Sequence, residues 1–320
     1  MVTSEPYQRP AMAASAVKLA PTPRPGTQPV RAYPTILCLL ECVVIYAGRV
    51  RERDYNMPRM KNAPLRYVLA IMRFPTNHNI EKFIPLFQEK VWNDYPQLSS
   101  ETLQGIQLSV GNKSTDSIQI TNKIWQFASE DRNFALILSP DFLVLHAGQG
   151  YIGHEDFINR FKSAVEAFVS VNAIAKNMMA LGYRYVDLIV PKAGETLSSY
   201  LNKWVMPSDD FESFDGISFI NSASFMAFST PQGMLRFQAM RCPPATLSLD
   251  LITPFVKKNG WLDNRPEGDF ALLDLDHGAT LPDSPSITPQ GVADRLLEMR
   301  TPIVNLFDKA ITNYARNDWS

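Results

Sequence analysis

A chain of 320 residues exceeds one typical domain and has room for a substantial core, as two compact units or one large one. Its apolar share of 45% and charged share of 20% are those of an ordinary globular protein. The 31 Lys and Arg balance 32 Asp and Glu without a run of five or six like charges, which makes nucleic acid an unlikely partner. Three cysteines cannot build a disulfide framework, so a reducing, cytoplasmic setting is expected.

Residues 1–34 carry Pro6, Pro10, Pro21, Pro23, Pro25, Pro29 and Pro34 among Ala, Thr and Ser, a composition that buries too little apolar surface to offset its ordering entropy. The apolar run ILCLLECVVIYAG that follows, residues 36–48, falls short of the ~20 residues of a spanning helix and contains Glu41, so no membrane span is expected. Two readings of residues 1–56 stay open. One is a flexible tail with a small docking segment. The other is that translation begins at Met57, since Arg51, Glu52 and Arg53 fall where a purine-rich ribosome-binding sequence would be encoded. Either way, the leader is expected to make few contacts with the body.

From Leu65 the pattern becomes regular. Residues 65–74 read as a strand, and Ile80, Phe83, Ile84, Phe87 and Val91 recur at the spacing of a helix with one buried face. Strands are expected at 105–110 and 118–128, then across 133–147 with Ser139, Pro140 and Asp141 as a hairpin turn. A helix over 154–172 places Phe157, Phe161, Val165 and Phe168 on one side.

The second half repeats this order. PLRYVLAIMRFP from Pro64 and GYRYVDLIVP from Gly182 each put an Arg-Tyr-Val triplet at the head of an apolar strand that ends in proline. A helix is expected after each, closing in KVW at Lys90 and in KWV at Lys203. Further strands are expected at 217–229, 234–241, 246–252 and 270–276, then a helix over 288–315 with Thr288 as cap and Pro289 in its first turn. The reading is an α+β fold of two related halves, 57–175 and 176–320, each strand, helix, antiparallel strands and helix. The helices are expected to pack on curved antiparallel sheets, as in TATA-binding and helix-grip folds.

Several stretches carry a resemblance: NAPLRYVLAIMRF, Tyr95-Pro96, WQFASEDRNFALILSPDFLVLHAGQGY from Trp125, LGYRYVDLIV, LDLD from Leu273 and the closing NLFDKAIT. Over about residues 57–320 the chain resembles a sporadically distributed family of prokaryotic proteins grouped under a TIGR family model. The resemblance implies a start near Met57 and a distribution like that of mobile or defence-associated genes. It implies no active site.

Three groups of residues are candidates for chemistry. Asp274 and Asp276 lie two apart on a strand with His277 next to them, and clustered carboxylates with an imidazole suit a divalent metal. Period-two alternation, acidic outside and Leu273 and Leu275 inside, explains the same residues without a metal. His146 and His154 bracket a glycine-rich loop with Tyr151 between them, a possible ligand site or simply a strand-to-helix turn. Arg73, Arg184 and Arg236 sit in apolar strands, where an arginine needs a carboxylate such as Glu166, Asp187 or Asp250, or an anionic ligand. Aromatic residues are plentiful, and core packing is their ordinary use.

No GxSxG elbow, GxGxxG or complete Walker loop is present, GNKST at Gly111 being only a fragment. The expected function is a non-catalytic binding or protein-interaction module without a cofactor, its partner an unknown protein or small ligand. The alternative is a metal-dependent hydrolase of a phosphate-containing substrate at Asp274, Asp276 and His277. The apolar stripe of the last helix, with Leu297 and Val304, is wide enough to bury two sides in one chain or to form a homodimer.

Overall fold

Period-two alternation dominates the middle of the chain, and the computed structural model turns it into one sheet of nine strands. The structure describes residues 60–110, 115–148, 150–172, 175–206, 213–214, 217–242 and 266–320, with the side chains of 103–122, 213–214 and 217 left aside. The leader with its apolar run, Asp250 and the strand expected at 246–252 lie outside the described residues.

In chain order the elements are β1 (Leu65–Arg73), a 3-10 turn (Ile80–Phe83), α1 (Ile84–Val91), β2 (Gln97–Val110), β3 (Thr115–Ala128), β4 (Phe134–Leu138), β5 (Phe142–Ala147) and α2 (His154–Val171). Then come β6 (Ala180–Ile189), α3 (Leu197–Tyr200), β7 (Ser213–Phe214), β8 (Ile217–Ser218), β9 (Ser222–Ser229), β10 (Met234–Arg241), β11 (Ala271–Thr280), α4 (Pro289–Ala310) and α5 (Asn313–Trp319). The sheet order is β2-β3-β4-β5-β1-β6-β11-β10-β9, and every neighbouring pair is antiparallel. The fold is therefore α+β, with a single large antiparallel sheet continuous through the β1–β6 seam. The short pair β7–β8 stands apart from it.

Alternate residues of the strands go to opposite faces. Val68, Ala70 and Met72 of β1 join Leu143 and Leu145 of β5, Tyr183 and Tyr185 of β6, and Leu273 and Leu275 of β11 in the main core. Phe87 of α1, Phe157, Phe161, Val165 and Phe168 of α2, and Val292, Leu296, Met299 and Ile303 of α4 belong to the same cluster. The intervening residues form separate clusters, Ile71 with Ile137 and Val144, and Tyr67 with Val186, Leu188 and Leu272. β4 and β5 are buried at every position, so both faces of the sheet are covered there.

The two Arg-Tyr-Val triplets meet across the seam, with Tyr67 opposite Val186 and Val68 opposite Tyr185. Cross-strand partners share a face, so Tyr67 and Tyr185 fall in different clusters, on opposite sides of the sheet. The register also shifts between Leu65 and Tyr67, leaving Arg66 as a bulge.

Two expected helices differ from the sequence reading. The one closing at Lys203 is a single turn, Leu197–Tyr200, because Leu201 turns extended and bridges Ile311. Asn202 Nδ2 fastens this crossing by donating to the Lys309 and Ile311 carbonyls at 2.9 and 2.8 Å. The same bridge splits the last helix. Ile311 is extended, and Thr312 caps α5 by accepting from Ala315 N at 3.1 Å.

The start of α4 follows expectation, with Thr288 Oγ1 accepting from Gly291 N and Pro289 in the first turn. Its wide apolar stripe is mostly used within the chain. Leu306 and Phe307 are partly buried against the core, Phe307 stacks on Trp319 of α5, and Leu297 stays exposed.

Gly233 closes the β9–β10 turn, exchanging backbone hydrogen bonds with Thr230. A Cβ there would stand 2.1 Å from the Gly278 carbonyl oxygen, a contact only backbone movement relieves. Gly233→Ala is expected to destabilise by about 1–3 kcal/mol through overpacking, read as a lower thermal midpoint. An unchanged midpoint would show that the turn yields freely.

Candidate functional site

Burying a tyrosine ring is favourable, but its hydroxyl then needs a partner. Tyr183 and Tyr185 alternate onto the helix-covered face of β6 and are both buried. Tyr185 OH donates to Tyr183 OH at 3.0 Å, and Tyr151 OH lies 3.1 Å from Tyr185 OH.

Tyr151 comes from the glycine-rich connection between β5 and α2. That connection runs tight against β4: a Cβ on Gly150 would sit 2.6 Å from Asn133 Cβ and 2.8 Å from the Phe134 ring. The connection ends at Gly153, where α2 begins without a side-chain cap, and His154 is the first helical residue.

Arg300 of α4 acts electrostatically on all three tyrosines and on His154. Burial raises the pKa of each tyrosine well above its ordinary value, so all three hydroxyls keep their protons at neutral pH. Burial first, and then the Arg300 charge, lower the His154 pKa, with Glu155 opposing, which favours the neutral imidazole. The cluster thus sets the Arg300 cation beside three neutral hydroxyls and the His154 imidazole, with the Glu155 carboxylate also acting on His154.

Arg300 differs from the arginines foreseen as a site. Arg73 pairs with Asp141 at 3.1 Å, Arg184 with Asp274 through two hydrogen bonds, and Arg236 with Asp276 at 3.8 Å. These partners differ from the expected Glu166 and Asp187, and they join β1 to the β4–β5 turn, β6 to β11 and β10 to β11. Among the described residues no carboxylate forms an ion pair with Arg300, and its Nε is buried without a hydrogen bond. A buried guanidinium edge without an acceptor favours an anionic guest.

The remaining candidates separate. His146 faces away from Tyr151 and His154: its Nδ1 shares a hydrogen bond with Tyr67 OH at 2.5 Å, and burial pushes its pKa down to about 3. Asp274 and Asp276 lie on the same face of the sheet as Arg184 of β6 and Arg236 of β10. His277 takes the other face, donating from Nδ1 to the Met299 carbonyl at 2.7 Å, with Nε2 2.8 Å from Thr230 Oγ1. The three do not converge. Among the described residues no group of three or more His, Cys, Asp or Glu is placed to hold a metal ion. His277 instead fastens α4 at the residue before Arg300.

A hollow of about 250 Å³ between the end of α1 and α2 is lined by Lys90, Asp94, Tyr95, Asp156 and Arg160 among others. Its two cations face two carboxylates, so it offers an anion no net attraction.

The sequence reading reached Tyr151 and His154 but not Tyr183, Tyr185 or Arg300. Tyr-x-Tyr on one strand was the available signal for the first two, since residues two apart share a face. Arg300 lies four residues after Leu296 and three before Ile303, which puts it on the buried stripe of its helix. No helix of the described residues is long and apolar enough to cross a membrane. No protein-family model matches the chain, and no curated protein matches it either.

Proposed function

We propose that the protein is a non-catalytic binding module that takes an anionic group, a carboxylate or phosphate, between α2 and α4 at Arg300, His154 and Tyr151. The observation that carries this reading is the Arg300 guanidinium, partly buried and without an ion-pair partner among the described residues, beside hydroxyls that stay protonated. Such a site binds rather than transforms, because neutral phenols and a neutral imidazole beside a cation hold an anion without an activated nucleophile. The metal-dependent hydrolase has no comparable support, since Asp274 and Asp276 face arginines and His277 points elsewhere.

The same proposal includes a cytoplasmic setting, kinship with the sporadically distributed prokaryotic family, and an origin of the body by internal duplication. The strand order supports duplication. In each half the first strand lies beside the last, β1 next to β5 and β6 next to β11, with the earlier strands following outward. The Arg-Tyr-Val triplets are then not equivalent positions, because a one-residue offset changes the face of every side chain.

Calorimetric titration with inorganic phosphate, and separately with acetate, tests the site. Arg300→Gln is expected to weaken binding roughly tenfold to a hundredfold, the range set by one charge-assisted hydrogen-bonded contact. Binding that is absent in the parent chain, or equal in the variant, would remove the proposal.

A further inference from the structure

We propose that the hollow between the end of α1 and α2 is a second binding site, for a small zwitterion of the free amino acid class, with the Tyr95 hydroxyl as the donor at its floor. A turn builds that floor. After α1 the backbone folds back, Asp94 N and Tyr95 N both donating to the Val91 carbonyl at 3.1 and 2.8 Å, and the Tyr95 ring enters the main core at 4% exposure. Its buried hydroxyl completes no hydrogen bond. The charges that act on this hydroxyl are Arg160, Asp94 and Asp156, all three of them in the lining, so it faces the hollow and not the core. Burial pushes its pKa up to about 12, and it keeps its proton at neutral pH. A buried donor without a partner is costly, and a guest that brings an acceptor recovers that cost.

The wall of the hollow is held in place from two sides. Arg160 Nε donates to Asp156 Oδ2 at 2.8 Å, one turn back on α2, and the guanidinium carbon stands 4.3 Å from the centre of the Phe134 ring. At the rim, Lys90 and Asp94 are exposed, four residues apart, and neither forms an ion pair among the described residues.

The lining therefore sets two cations and two carboxylates around one protonated hydroxyl. A lone anion or cation meets repulsion there as well as attraction. A molecule with both charges can turn its carboxylate to Arg160, Lys90 and the Tyr95 hydroxyl and its ammonium to Asp94 and Asp156. Size points the same way: at about 250 Å³ the hollow is smaller than the ~300–1,000 Å³ of pockets for drug-sized ligands, which leaves room for a guest of amino acid size. The proposal does not rest on the Arg300 site.

Calorimetric titration of the full chain with glycine, L-serine, L-glutamine and L-leucine, each up to about 10 mM, decides it. At least one is expected to bind, with equal affinity in the parent and in Arg300→Gln, since a carboxylate held at Arg300 would be lost in that variant. Tyr95→Phe should weaken this binding roughly tenfold. Its thermal midpoint without ligand should stay at or above the parent's, because the hydroxyl it removes is buried without a hydrogen bond. Lys90→Gln and Asp94→Asn alter only exposed side chains, and each should weaken binding severalfold, so they decide the matter if Tyr95→Phe fails to fold. Acetate and methylammonium, with one charge each, should not bind Arg300→Gln. No binding of any probe, binding lost with Arg300→Gln, an affinity that ignores Tyr95→Phe and both rim variants, or either single-charge probe bound by Arg300→Gln as tightly as the amino acid would each overturn the assignment.

Discussion

Replacing Arg184 with methionine is expected to destabilise the fold by about 3–5 kcal/mol, the loss typical when one partner of a buried ion pair is removed. Arg184 Nε and Nη2 reach the two carboxylate oxygens of Asp274 at 2.7 and 2.5 Å, with side chains only 15% and 6% exposed. Without the guanidinium, the Asp274 carboxylate would be left unpaired in a dry setting close to a second carboxyl, Asp187. Urea unfolding at neutral pH measures the loss. Replacing both members, Arg184→Met with Asp274→Leu, should restore most of the stability, because no charge is then left behind. Equal losses in the single and double variants would show that shape at the seam, rather than charge, explains the effect.

Stability is also expected to fall as pH rises from about 4 to about 8, with Asp187 as the chief cause. Burial, and after it the Asp274 carboxylate, push the Asp187 carboxyl from the ordinary 3.8 up to about 8, while Arg66 pulls it down. Between those values the folded chain holds a proton that the unfolded chain has released, so each rise in pH favours unfolding until the folded carboxyl ionises too. The groups that set this balance are Arg66 on β1 and Asp274 on β11, the latter held by Arg184 of Asp187's own strand. Asp187→Asn, which cannot ionise, should melt with the parent at pH 4 and above it at pH 8, by an amount on the order of a few kcal/mol. Parallel melting curves at the two pH values would assign the dependence to other groups.

Local rules made much of the fold legible in the sequence. The β4–β5 hairpin follows from two apolar runs divided by Ser139, Pro140 and Asp141, and α2 follows from four aromatic and aliphatic residues at helical spacing. The cap at Thr288 and the exact span of β10 belong to the same class, since each depends on residues within a turn or a strand of one another. What lies outside that range was decided by the tertiary structure. α3 stops after one turn and α4 breaks at Ile311 because those segments bridge each other from 110 positions apart, Leu201 to Ile311. Local propensity carries no trace of such a contact.

The candidate site divides in the same way. Sequence spacing determined that Asp274 and Asp276 share a face, that Tyr183 and Tyr185 share one, and that glycines shape the turn before His154. It could not assign partners. Whether an arginine on a strand meets a carboxylate depends on which strand becomes its neighbour. The order β1-β6-β11-β10 gave Arg184 and Arg236 their aspartates, and α4, laid across the sheet, placed Arg300 where none forms a pair with it among the described residues. The residue types and their faces were written locally, whereas the charge balance of the site is a property of packing between elements far apart in the chain.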